Sequence, residues 1–363
     1  MKKVLIIQRT LMHYRVPLFE RLGELYDLTV AYSEKNEDWG NRIKSFKIEY
    51  LRGKIWNELP DEQFSVSINR LIDICKNYDV LVLPMEPYRK VLYVTEKLRK
   101  YVKLIFWGIG VSASYDIRYD SVEYRRPTFE SMVSMADASV FYTEYPKNKY
   151  FERGIPKEKM FVAPNTVEVL KVDLNGQARD SLLFVGTLLK QKRLELLLEA
   201  YKKAFEKKPN IPVLKIIGEG EEYENICEWI KNNSLLDKII LQGPIYDEEL
   251  LKEQFLHALV TVSADQAGLT VLKSMGYGVP FIANKDAITG GEIYNITDGV
   301  NGVLFDDFGE LENILLDITD HPKKYEEMGR NAYQHYYSCR TVENWIQGFS
   351  DAIEYAIKDW RSK

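Results

Sequence analysis

An α/β fold of two doubly wound, Rossmann-like domains is what this sequence predicts, and three observations lead there. Short apolar runs alternate with amphipathic helical patterns from one end to the other, the rhythm of parallel sheets covered by helices on both faces. The 363 residues exceed what one ordinary core holds and suit two domains of similar size. Near the middle, VEVLKVDLNGQARD (167–180) is polar and aperiodic and carries Asn-Gly, as a linker does. The expected domains are therefore 1–165 and 166–339.

In the first half the strand-like runs are Val4–Ile7, Leu28–Tyr32, Val80–Leu83, Lys103–Trp107, Ala138–Tyr142 and Met160–Ala163. Helical patterns at Val16–Tyr26, Phe64–Asn77 and Arg89–Tyr101 separate them, with Pro17 suited to a first helical turn. The second half repeats the rhythm with strands at Leu182–Val185, Val213–Ile217, Lys238–Leu241, Ala258–Val262, Val279–Ala283 and Gly302–Phe305. Its helices are expected at Leu194–Lys207, Glu221–Asn232 and Glu248–His257. Pro322–Trp360 reads as two or three helices with no strand left, so the last, about 340–363, is expected to pack back on the first domain.

Bulk properties exclude several classes. No apolar run approaches the roughly 20 residues that span a bilayer. MKKVLIIQRT is broken by Gln8 and Arg9 too soon for a signal peptide and reads as a buried first strand. Three scattered cysteines without a C-x-x-C pair point to a reducing cytoplasm and away from a disulfide framework or zinc site. The net charge of −5 divides unevenly: residues 1–165 carry 27 Lys and Arg against 22 Asp and Glu, the remainder 22 against 32. The two halves are thus expected to meet different partners, the basic one suiting an anionic acceptor or membrane surface. No nucleic-acid partner is expected.

The most informative stretch is Ser263–Asn284, an apolar run leading through Gly268-Leu269-Thr270 into a short helix and then Gly278-Val279-Pro280. A glycine there lets a ligand approach the backbone, and unpaired amides behind it favour an anion, although many α/β folds use such a glycine only to turn the chain. Four further segments accompany it in order: FVGTLLKQKRLELLLEAY (184–201), IIGEGEEYE (216–224), LQGPIYDEEL (241–250) and EIYNITDGVNGVLF (292–305). Together the five resemble the retaining family 4 of GT-B glycosyltransferases across essentially the whole chain. Residues 8–17 (QRTLMHYRVP), Trp107-Gly-Ile-Gly110 and Gly268-Leu-Thr further resemble a subgroup from surface polysaccharide clusters.

The resemblance implies two domains facing across a cleft and a nucleotide-sugar donor, UDP- or GDP-linked, with no separate cofactor. Its acceptor is expected to be a glycan or a polyprenyl-linked glycan. It further implies donor contacts from Gly186, Thr187, Gly218, Gly220, Ile245, Gly268, Leu269, Thr270, Lys273 and Glu292, and catalytic roles for His13, Asp265 and Lys192. Tyr14, Arg15, Trp107 and Ile109 are the expected acceptor contacts. The sequence departs from the family pattern in instructive ways. Asp265 and Lys273 stand where two glutamates are usual, and Lys273, with donors only, cannot accept from a ribose as a carboxylate does. Thr187 replaces an arginine that would face the diphosphate, leaving Lys192, with Lys273 as a compensating cation. Ile109 stands where the subgroup often has histidine.

Sugar transfer needs a stabilised diphosphate leaving group, and fixed cations and amide dipoles supply that without metal. The metal-using alternative needs Asp-x-Asp, and no two aspartates in this chain are two residues apart. His13 reads either as a group near the reacting centre or as a surface or capping histidine, while His257, His321 and His335 read as structural. Glu292 reads as a donor contact or as an acid placed by a helix start; Gly218 and Gly220 read as nucleotide neighbours or as simple turn residues. Along Arg89–Lys103, six basic residues accompany an apolar stripe, Val91, Val94, Leu98 and Val102. That pattern fits a helix packed on the sheet, or a surface leaning on anionic lipid at the inner face of a plasma membrane. Two other functions compete with glycosyl transfer: a nucleotide-sugar epimerase, and a non-catalytic relative that binds a glycan or partner enzyme.

Overall fold

The computed structural model describes residues 1–33, 43–51, 68–87, 89–114, 117–176 and 178–358, which divide into two compact units. The predicted helix start at 64–67 and the chain end at 359–363 lie outside them.

The first unit comprises Met1–Ser112, Asp120–Glu168 and the chain from Thr341 onward. Its elements are β1 (Lys3–Gln8), α1 (Val16–Leu25), β2 (Asp27–Tyr32), β3 (Lys47–Tyr50), α2 (Ile68–Cys75), β4 (Val80–Pro84) and α3 (Arg89–Leu98). There follow β5 (Lys103–Gly108), α4 (Arg126–Met135), β6 (Ala138–Phe141), α5 (Glu144–Phe151) and β7 (Met160–Val162). The strands form one parallel sheet in the order β3-β2-β1-β4-β5-β6-β7. Strand β3 escapes the sequence reading because it is a four-residue edge with mostly exposed side chains, so no buried face marks it.

The second unit takes Val169–Arg340 and the short segment Ala113–Tyr119. Its elements are β8 (Ser181–Val185), α6 (Leu194–Lys207), β9 (Val213–Ile217), α7 (Tyr223–Asn232), β10 (Ile239–Gly243) and α8 (Glu248–Leu256). Then come β11 (Ala258–Ser263), α9 (Thr270–Gly276), β12 (Phe281–Asn284), β13 (Gly302–Phe305), α10 (Glu310–Asp320) and α11 (Pro322–Cys339). This sheet is also parallel, in the order β10-β9-β8-β11-β12-β13. In both sheets the strand order reverses once, between β1 and β4 and between β8 and β11. Beyond the carboxyl ends of such a strand pair, loops diverge to opposite faces and leave a crevice.

The last helix, α12 (Val342–Ile357), packs on β5, β6 and β7 of the first sheet. It opens with a capping box between Thr341 and Asn344. Trp345, fully buried, stacks on Phe349 at 4.5 Å and meets Trp107 edge-on at 5.6 Å. At Gly348 a β-carbon would lie 2.0 Å from the Val162 carbonyl oxygen, so the helix axis can approach the sheet only with glycine there. The apolar stripe of α3 and the turn after it is also spent on the core: Val91, Val94, Leu98 and Val102 are each at most 3% exposed.

Candidate functional site

The site of the second unit is built where its strand order reverses. After β8, the Gly186 amide donates to the Ile217 carbonyl (3.0 Å), and the Leu188 amide donates to that of Glu219 (2.8 Å). A β-carbon on Gly218 would sit 1.8 Å from the Gly186 oxygen, and one on Gly220 would sit 2.3 Å from the Leu188 oxygen. These two glycines are therefore required for the loops after β8 and β9 to interlock, whatever they bind. Their packing fixes the loop that carries Lys192.

Lys192 is 9% exposed, at the end of a 3-10 turn, with its ammonium directed against the α-carbon of Gly186. Among the described residues no carboxylate pairs with it; the nearest aromatic face is Phe184, with Nζ 5.8 Å from the ring centre. Burial without a counter-ion disfavours the charged form and pushes its pKa down to about 8. Lys192 lines a cavity of about 170 Å³ together with Val185, Ser263, Gln266, Gly268, Leu269 and Thr270. It also lines a smaller pocket of about 120 Å³ with Leu188, Leu198, Ile226, Trp229, Glu195 and Glu222.

Gly268 has no need of a glycine conformation, and a β-carbon there would meet nothing within 4 Å. Its side-chain position opens on the cavity it lines. Val271 and Lys273 donate their amides back to Gly268 and Leu269 (2.9 and 3.1 Å), which starts α9. Thr270 donates its hydroxyl to the Val185 carbonyl (3.3 Å), tying this helix start to the end of β8.

Four other expected donor residues stand apart from the cavity wall. Lys273 is not among the cavity residues and is not placed as a compensating cation: its ammonium is committed to both carboxylate oxygens of Glu248, at 2.7 and 2.6 Å. Ile245 is half-buried against the apolar cluster of Ile217, Phe255 and Tyr277. Glu292 is 5% exposed in a 3-10 turn rather than at an α-helix start, accepting from the Gly290 amide (2.9 Å) and the Thr289 hydroxyl (3.2 Å). Thr187 is exposed on the loop before Lys192.

Asp265 is half-buried between Ser263 and Gln266, both cavity residues. Burial raises its pKa, opposed by the positive charges of Arg193 and Arg118. Arg193 stands 4.0 Å from its carboxylate, and Arg118 pairs with Asp286 at 3.3 Å. Neither arginine, nor Glu248, is singled out by the sequence. Arg193 sits beside Lys192 but carries no motif, and Glu248 meets Lys273 only through the fold.

In the first unit, His13, Tyr14 and Arg15 form a 3-10 turn after β1, at the point where that sheet's order reverses. Arg9, at the end of β1, pairs with Glu86 after β4 (2.6 Å). His13 is exposed and meets Tyr14 edge-on at 5.7 Å. Arg15 donates to Gln8 and to the Tyr142 hydroxyl (2.9 Å) and lies over the Trp107 ring at 4.6 Å. Trp107 is not an acceptor contact but a core residue, 2% exposed among Phe19, Trp345 and Phe349. Ile109, two residues on, is half-buried. Of the remaining histidines, His335 hydrogen-bonds Asn295 (3.2 Å) and His321 pairs with Asp317 (2.8 Å). Among the described residues no group of three or more His, Cys, Asp or Glu side chains is arranged to hold a metal ion, and no helix is long and apolar enough to cross a membrane.

Residues 171–335 match the family model described as Glycosyl transferases group 1. Among curated proteins, the poly(glycerol-phosphate) alpha-glucosyltransferase of Bacillus subtilis (strain 168) is 22% identical over 374 residues, covering 95% of this chain. The chain spans about half (53%) of that relative's length. Among solved structures, Anabaena HepE in complex with UDP superposes with a TM-score of 0.71 at 14% identity, covering 98% of this chain and 100% of that one. A mutant TarM of S. aureus, in complex with fondaparinux, alpha-GlcNAc-glycerol and UDP, gives 0.66 at 12% identity over 97% and 99%. Two parallel sheets with the same reversal of strand order, and a cavity built on the matched segment, agree with these likenesses. The chain shares the two-sheet GT-B fold of these structures, and within its second unit residues 171–335 are similar to the group 1 glycosyl transferases.

Proposed function

We propose that the protein transfers a sugar from a nucleoside-diphosphate sugar to a glycan or lipid-linked glycan, with retention and without a metal ion. One observation carries this reading: a buried lysine with no counter-ion among the described residues, pressed on Gly186 and lining a cavity at the strand reversal of the segment that matches the group 1 glycosyl transferases. An isolated buried ammonium is costly, and a diphosphate supplies the missing negative charge. Lys192 and the amides at Gly268, Leu269 and Thr270 receive that group. The Lys273-held carboxylate of Glu248 takes the place of the acid that the resemblance expects at 273, and accepts from the ribose hydroxyls. Asp265 orients the transferred sugar.

In the transfer the acceptor oxygen forms a bond to the anomeric carbon on the face that the diphosphate leaves. The bond from that carbon to the phosphate oxygen breaks, and the released phosphate takes the acceptor proton. His13, Tyr14 and Ile109 in the first unit serve the acceptor. The names of the relatives support UDP as the nucleotide and a phosphate-bearing or glycan acceptor in surface polysaccharide assembly. A panel of UDP- and GDP-sugars, assayed with EDTA present, tests the reading. Release of the nucleoside diphosphate by the protein, abolished in Lys192→Ala, is expected; no release and no stabilisation by any donor would sink it.

We further propose peripheral attachment to anionic membrane on the cytoplasmic side. With its apolar stripe buried, the α3 region presents Tyr93 (55% exposed), Arg99, Lys100 and Tyr101 (41% exposed) outward, with Lys97 half-buried and Glu96 the exposed acid among them. Each cation beside such a surface contributes about 1 kcal/mol. Sedimentation with vesicles containing phosphatidylserine, reversed by salt, is the expected result; full recovery in the low-salt supernatant rejects it.

A further inference from the structure

The geometry points to Arg193 as a phosphate-contacting residue, the second cation of the donor site alongside Lys192. This rests on the reading that the second unit binds a nucleoside diphosphate. Three observations converge on Arg193. Its backbone is left-handed, at φ 49° and ψ 45°, a conformation that glycine adopts freely and a side chain adopts at a cost. It does not use that conformation to cap the helix it precedes, since no side-chain cap bond forms at α6. The turn instead sends two successive cations to different places, Lys192 inward against Gly186 and Arg193 toward Asp265.

The guanidinium is held but not saturated. Its Cζ lies 4.7 Å from the centre of the Phe308 ring, a cation–π contact, and the side chain is otherwise partly open to solvent. Its two carboxylate neighbours, Asp265 at 4.0 Å and Glu195 at 3.8 Å, lie beyond hydrogen-bond distance. Among the described residues its five N–H donors make no hydrogen bond. A guanidinium with unused donors, next to a residue that neighbours the cavity, matches the paired oxygens of a phosphate. Asp265 serves as its resting counter-ion, beside the cavity residues Ser263 and Gln266. Donor binding exchanges this loose pairing for a bidentate one and frees the Asp265 carboxylate for the sugar.

The test is calorimetric titration with UDP, GDP, UMP and GMP, without divalent cations, on the full chain and on Arg193→Gln, Arg193→Gly and Arg193→Lys. Both Arg193→Gln and Arg193→Gly are expected to lose about tenfold or more in affinity for the diphosphate that the wild type prefers. They should lose far less for the matching monophosphate, and Arg193→Lys should recover part of the difference. Arg193→Gly relieves the backbone, so its melting temperature should equal or exceed that of the wild type, which separates lost contact from lost fold. Diphosphate affinity unchanged in both Gln and Gly variants overturns the role of Arg193 alone. Absence of nucleotide binding by the wild type overturns it together with the donor-site reading.

Discussion

Gly186 and Lys192 are in contact across a single turn of loop: a β-carbon on Gly186 would stand 2.3 Å from the lysine Nζ. The smallest side chain in the site thus sets where its buried charge can rest. Gly186→Ala should push the ammonium off this seat and weaken nucleoside-diphosphate binding about tenfold or more, the scale of one lost charge-assisted hydrogen bond. Calorimetry checks this; equal affinity in the two proteins would remove the contact from the argument.

The same burial makes Lys192 a stability cost in the unliganded protein. Its folded pKa, about 8, lies below the ordinary 10.5. Between these values the unfolded chain binds more protons, so its contribution to stability rises with pH over that window and is least favourable below pH 8. Lys192→Met should therefore stabilise the free protein at pH 7 by up to roughly 3 kcal/mol, a gain that shrinks toward pH 10.5. Urea titrations of both proteins at several pH values measure the difference. A constant offset across the window would contradict the assignment. Diphosphate affinity should fall above pH 8, as the free ammonium deprotonates.

Gly268 lines the cavity and a β-carbon there would meet nothing within 4 Å, so Gly268→Val adds bulk at the cavity wall at little steric cost to the loop. It should leave the melting temperature within a few degrees and abolish stabilisation by nucleoside diphosphates. Retained ligand stabilisation in a thermal-shift assay would show that the cavity is not the donor site.

If Glu248, held by Lys273, reads the ribose, Glu248→Gln should erase discrimination between UDP and 2′-deoxy-UDP or between GDP and 2′-deoxy-GDP. The pair is coupled at 2.6–2.7 Å, so in a double-mutant cycle the Lys273→Met effect should be largely absorbed by Glu248→Gln. Strict additivity would break the proposed link.

Gly348→Ala reverses the usual helix preference. Alanine favours an exposed helix interior by up to about 1 kcal/mol, but here its methyl would meet the Val162 carbonyl oxygen at 2.0 Å. The variant should lose about 1–3 kcal/mol, the scale of overpacking, with Trp345→Ala losing about 3–5 kcal/mol. Chemical denaturation decides both.

The sequence by itself determined the alternation of strands and helices and the loop glycines of the second unit, because buried parallel strands must be apolar throughout. Gly186, Lys192 and Gly268 were legible for the same reason, each lying one loop beyond a recognisable strand. Edge strand β3, exposed and four residues long, left no such trace.

Only the tertiary structure decided which charges meet. Lys273 faces Glu248, 25 residues away, and Asp265 faces Arg193, 72 positions earlier in the chain. Trp107, read as a ligand contact, is enclosed by an aromatic cluster completed from α12 more than 230 residues later. Such partners are set by strand order and helix packing rather than by local pattern. A side chain's role follows from the neighbours that burial gives it, and those neighbours come from distant parts of the chain.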